Sequence, residues 1–219
     1  MRQILAPVSL LSFLAGPLLA DACEDDIRAL YSAPDGLFDP TNLVPQEHAA
    51  VWEFPDGTTA PYNTARWESP TRVLNETANG FYLLYDGAFY QGTSWDGPWT
   101  AMGQTIDYDP VDFARSMNDS VLANLADMRC DGEVELEGRK VLRYAYHART
   151  EPPEGGSWWE ADLVLYVDAK TGQRVRMEEH ALSESGAPGA KDEIRVTRVT
   201  PLPGYTIPDP PAAESPAAQ

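Results

Sequence analysis

The sequence predicts an α+β fold built on an antiparallel sheet, and three observations carry that reading. Apolar and polar residues alternate in short runs along most of the chain, several of the runs are joined by Asp-Gly or similar turns, and the pattern shifts to a long helical period only once. The clearest run is Trp158 to Leu182. Trp159, Ala161, Leu163, Leu165 and Val167 share one face, and after Asp168-Ala169-Lys170-Thr171-Gly172 a second strand places Val175, Met177 and Ala181 opposite Arg174, Arg176, Glu178 and His180. An aspartate that bonds back to its own backbone, followed by a glycine, suits a type I turn closed by a G1 bulge.

In chain order, Met1-Arg2, the apolar stretch Ile4 to Leu19 and the small residues Ala20 and Ala22 read as a secretory signal peptide over residues 1–22. Pro7, Gly16 and Pro17 break the apolar stretch, which argues against a permanent span, and no later segment is apolar enough to cross a bilayer. Residues 23–208 are expected to form one domain, and residues 209–219, rich in Pro and Ala, a disordered tail. Glu24 to Tyr31 predicts a short helix with Ile27, Leu30 and Tyr31 on one stripe, and Ser32 to Pro45 a loop. His48 to Phe54, Tyr62 to Glu68, Thr71 to Asn75, Gly80 to Tyr85 and Ala88 to Thr93 predict a meander, which another Asp-Gly turn extends between Trp95 and Trp99. Gly80 to Tyr85 is apolar on both faces, as in a strand covered on both sides.

Val111, Ala114, Met117, Val121, Leu125 and Met128 then recur at three and four residues, which predicts a long helix over Pro110 to Met128 with Asp109 as N-cap. Gly132 to Leu136, Lys140 to Ala148, the hairpin above and Lys191 to Thr200 complete a sheet of about ten strands. One long and one short helix accompany it.

The formal charge of -18 excludes nucleic acid and anionic membrane surfaces as partners. Cys23 and Cys130 are the two cysteines, and in an exported chain they are expected to form a disulfide, with a lipid anchor on Cys23 as the alternative. No Gly-x-Ser-x-Gly elbow is present, and His48, His147 and His180 lie in separate strands without metal-ligand spacing. The chain is therefore expected to be a binding protein rather than an enzyme, with no metal and no cofactor. Two helices cannot cover so wide a sheet. The apolar faces of the strands then point to a site for an apolar small molecule or lipid among Trp52, Trp67, Leu83 and Trp159. The alternative is a filled core in a structural protein that docks an envelope partner.

The order of elements, with GFYLLYDGAFYQGTSWDGPWTAM before the helix and EVELEGRKVLRYAY and LVLYVDAKTGQRVRMEE after it, resembles the LolA-like half-barrel proteins of the bacterial envelope. The resemblance covers roughly Ala49 to Pro208 and rests on structural motifs. It implies a curved antiparallel half-barrel with the helices on its concave side, acyl chains or other lipids held between them, and a periplasmic location.

Overall fold

The computed structural model describes residues 17–151 and 157–210. Most of the expected signal peptide, the centre of the loop after Glu151 and the tail beyond Pro210 lie outside the described residues. Eleven strands form one sheet: β1 (Gln46–Glu53), β2 (Thr59–Ser69), β3 (Arg72–Thr77), β4 (Gly80–Tyr85), β5 (Ala88–Gly92), β6 (Trp99–Thr105), β7 (Ala126–Leu136), β8 (Arg139–Arg149), β9 (Trp159–Asp168), β10 (Arg174–Glu184) and β11 (Ile194–Pro201). The order β6-β5-β4-β3-β2-β1-β11-β10-β9-β8-β7 makes two meanders joined where β1 pairs with β11. β6 and β7 are left as free edges, so the sheet curves without closing.

Local chemistry fixes the hairpins. Asp86-Gly87 and Glu137-Gly138 both take positive φ at both positions, the type I′ geometry whose twist matches the flanking strands. Between β9 and β10, Asp168 accepts hydrogen bonds from the backbone N–H groups of Lys170 (3.0 Å) and Thr171 (2.8 Å), and the Thr171 hydroxyl adds a third. These bonds hold the Asp168 carboxyl below its ordinary value.

Helices α1 (Pro17–Ser32) and α2 (Pro110–Ala123) lie on the concave face, against the β7–β8 end of the sheet and against each other. Asp109 caps α2 through Val111 N–H (2.7 Å) and Asp112 N–H (3.1 Å), as its spacing predicts. The helix ends five residues before the expected Met128. Asn124 caps it by donating from its side chain to Ser120 O (2.9 Å), and Asp127 at φ 51 falls at the register shift near the start of β7. Leu125, Met128 and Cys130 still pack against the same core, Leu125 from the link after the helix and Met128 and Cys130 from β7. The helix expected to be short is the longer of the two, with 16 residues against 14.

Cys23 and Cys130 are joined, tying α1 to β7, so the bridge runs from a helix to a strand. The Cys23 sulfur that a thioether anchor would use is engaged in this bond. Arg28 donates to Leu122 O (3.1 Å) and links α1 to the last turn of α2.

Two apolar clusters lie on opposite faces. On the concave face Ile27, Tyr31, Val121, Tyr146, Leu163, Leu165 and Leu182 form the main core. On the convex face Leu74, Leu83 and Tyr90 are covered by Trp95, Trp99 and the segment after β11, which lays Tyr205 and Ile207 over them. That segment is tied down by Ile207 N–H to Glu68 Oε2 (2.5 Å) and by the Tyr85 hydroxyl to Asp209. Asp209, expected to begin the tail, is thus in contact with β4.

Candidate ligand cavity on the concave face

The loop between α1 and β1 roofs a cavity of about 440 Å³ on the concave face. Its position depends on close backbone packing. At Gly36 a Cβ would meet three carbonyl oxygens of the α1 C-terminus at 2.8–2.9 Å, so only glycine lets the loop lie against the helix end. Phe38 is then held from both helices: its N–H donates to Leu30 O (2.9 Å) on α1, and its carbonyl accepts from the Asn118 side chain (2.8 Å) on α2. Phe38 stacks on Tyr31 at 4.4 Å between ring centroids.

Leu37, Phe38, Leu43, Val44, Trp67 and Pro70 supply the apolar walls, and His48 and Arg174 supply the polar floor. Strand register brings the floor together. Gln46 and His48 of β1 oppose Trp67 and Ala65 of β2, and Arg174 opens β10. Arg174 Nη2 lies 3.0 Å from His48 Nε2, and its guanidinium sits 5.5 Å over the Phe38 ring. Because a guanidinium only donates, His48 Nε2 is the acceptor and Nδ1 carries the ring proton. Burial, helped by the Arg174 charge, pushes His48 down to about 3, so the imidazole is neutral at physiological pH.

Arg174 makes no ion pair among the described residues. Tyr31 and Tyr146, whose hydroxyls share a 2.8 Å hydrogen bond, stay neutral: burial raises Tyr31 well above its ordinary value and Tyr146 to about 12. Glu179, the buried carboxylate of this face, is taken by Arg195 through bonds of 2.5 and 2.6 Å. Trp67 Nε1 is buried without a hydrogen-bond partner.

Of the four residues expected to line a site, Trp67 alone lines this cavity. Trp52 and Trp159 share its face but pack against the main core, Trp52 edge-on to Tyr62 at 5.2 Å. Leu83 is a correction. It opposes Leu74 and Tyr90, is 0% exposed, and belongs to the convex cluster. The residue that continues from Trp67 is its neighbour: Trp67, Val73, Leu84 and Phe89 face one another across β2 to β5, all partly exposed. Arg174 was read only as the polar face of a strand. Its inward-facing, partly buried position follows from the bulge after it, which shifts the β9–β10 register between Arg174 and Arg176.

His147 and His180 lie on the convex face in pairs with Asp162 (2.8 Å) and Glu178 (3.1 Å), away from His48. Among the described residues no three His, Cys, Asp or Glu side chains group as a metal site, and no helix is long and apolar enough to cross a membrane.

Comparison with known proteins finds no matching family profile and no matching curated protein. Among solved structures, LprF from Mycobacterium bovis is similar over 87% of this chain and 97% of its own, at 12% identity and a TM-score of 0.50. At that identity the likeness establishes a shared fold and nothing further. Lipoprotein LppX from Mycobacterium tuberculosis aligns over 82% of this chain and 94% of its own, at 12% identity and a TM-score of 0.35. A LolA superfamily protein from Nitrosomonas europaea covers 86% and 94%, at 8% identity and a TM-score of 0.31. These two superpose too loosely to add to the first. The half-barrel that the sequence motifs imply is the architecture present: a curved, unclosed antiparallel sheet with two helices on its concave side.

Proposed function

We propose that this is an exported protein of the bacterial envelope that holds an apolar ligand, a lipid or acyl chain, on the concave face of its half-barrel without catalysing a reaction. The observation that supports it is the cavity of about 440 Å³ beside Trp67, a volume within the ~300–1,000 Å³ of ordinary ligand sites and walled mainly by apolar side chains. From Trp67 the row Val73, Leu84 and Phe89 extends apolar surface over strands that neither helix covers. The signal-like N-terminus and the Cys23–Cys130 bridge favour an oxidising compartment, the periplasm. Trp52 and Trp159 continue the same face on the packed side, where a long chain would have to displace core contacts.

Native mass spectrometry of protein purified from its own envelope tests the reading. A retained lipid mass, lost on delipidation and restored by a fluorescent fatty acid, is the expected result. A second reading, a structural protein that docks an envelope partner, draws on the density of the core under α1, where Leu163, Leu165 and Leu182 are fully enclosed. Absence of any bound mass together with absence of saturable uptake would favour it.

A further inference from the structure

The cavity contains a cation and a donor that its walls leave unanswered. Arg174 keeps its charge at any physiological pH and presents five N–H donors, of which the imidazole of His48 accepts one at 3.0 Å. A neutral imidazole and an aromatic face do not compensate a partly buried cation. Glu179 is committed to Arg195. The carboxylates in the roof, Asp35 and Asp39, accept instead from the Asn42 side chain (2.9 Å) and from Thr41 N–H and hydroxyl (2.9 and 2.8 Å), and neither forms an ion pair with Arg174. Trp67, whose ring lies 5.8 Å from that of His48, adds a buried indole N–H with no acceptor. Buried donors are nearly always paired, and the indole N–H of Trp67 is not; with the partly buried Arg174 beside it in the same cavity wall and no carboxylate on that cation, the two together point to an absent acceptor.

Resting on the lipid-binding reading above, we propose that the ligand is a single-chain acidic amphiphile. Its anionic head, a carboxylate or a phosphate monoester, accepts hydrogen bonds from Arg174 and Trp67 Nε1, and its chain lies along Phe38, Leu43 and Val44. A guanidinium fork matches the two oxygens of such a head, and the indole N–H supplies a third donor beside it. The cavity lies toward the small end of the usual range, which suits one chain rather than several.

The test uses the delipidated full chain and four probes: dodecanoate, methyl dodecanoate, monododecyl phosphate and acetate. Charge-assisted hydrogen bonds should make dodecanoate bind at least about tenfold tighter than its methyl ester. Arg174→Met should reduce that preference to within about threefold while leaving ester binding in place, and Trp67→Phe, which keeps the ring but removes the N–H, should weaken the acid and not the ester. The relative affinities of dodecanoate and monododecyl phosphate identify which head the fork takes, and tight binding of either supports the proposal. Equal binding of acid and ester by the unaltered protein would overturn the head site while leaving the apolar cavity standing. Binding of acetate as tight as dodecanoate would overturn the amphiphile. No saturable binding of any probe would remove both readings. The acid-to-ester ratio of the unaltered protein decides the question even if Arg174→Met does not fold.

Discussion

Leu83 and Trp67 were expected to share one site, and the structure puts them on opposite faces, so the same truncation at each should have opposite consequences. Leu83 is 0% exposed between Leu74, Tyr90 and the strap carrying Ile207. Its change to alanine leaves a closed void and should cost about 3–4 kcal/mol. A fully packed tryptophan costs about 3–5 kcal/mol on the same change. Trp67, however, already borders an open space of about 440 Å³ and carries a buried N–H that lacks a partner. Removing an unsatisfied donor returns about 1–3 kcal/mol, so Trp67→Ala should cost on the order of 1–2 kcal/mol. Urea melts read both: the midpoint should fall by about 1–2 M for Leu83→Ala and by clearly less for Trp67→Ala. Uptake of a fluorescent fatty acid should follow the reverse order, unchanged at Leu83 and weakened at Trp67. A Trp67 variant less stable than the Leu83 variant, or equal loss of uptake in both, would refute the assignment of the two residues to different faces.

Replacing Cys23 and Cys130 by alanine opens a loop of 107 residues, which in the chain-entropy model lowers stability by about 5 kcal/mol; an unchanged urea midpoint would show that the helix-to-strand tether carries no weight. Glu179→Gln takes from the partly buried Arg195 its two shortest bonds and leaves it Glu184 at 3.1 Å, and should cost about 2–3 kcal/mol, whereas replacing Glu179 and Arg195 together by Leu and Met should recover most of that in the same melt. His48 titrates near 6.5 when unfolded and near 3 when folded, beside Arg174. Its contribution is therefore fully present above pH 6.5 and is lost as the pH falls toward 3, by on the order of 5 kcal/mol. Melts at pH 7 and pH 4.5 should differ by more in the unaltered protein than in His48→Gln, and equal slopes would contradict it.

The sheet was legible because each hairpin advertises itself locally. Asp86-Gly87, Glu137-Gly138 and Asp168 to Gly172 all turn where their chemistry requires, and the strands between them follow the alternation. The helix boundaries were less so. Leu125 and Met128 continue a helical spacing beyond Ala123, yet they reach the same core from the link and from β7, and a period of three or four cannot separate the cases when only a few positions remain. The cap at Asn124 decides it. A side chain that bonds back to Ser120 was not distinguishable in the sequence from an asparagine within the helix.

The site was harder to read than the fold because it depends on parity and on what covers each face. Gly80 to Tyr85 is apolar at consecutive positions, so Leu83 and Leu84 are equally good candidates for the concave side until the register with Trp67 and Val73 is known. Leu83 needs a cover on the convex side, and that cover comes from Tyr205 and Ile207 in a proline-rich stretch whose composition reads as loop. Arg174 is a second case of the same kind. A basic residue after a turn reads as solvent-facing, but the register shift between Arg174 and Arg176 brings it beneath Phe38 and beside His48. A bulge costs a strand its simple alternation, and here it delivers the cation to a cavity whose walls are mainly apolar. Sequence periodicity found Trp67 of this site; most of its other apolar walls come from the loop before β1, and its charged half depends on the irregularity that periodicity averages away.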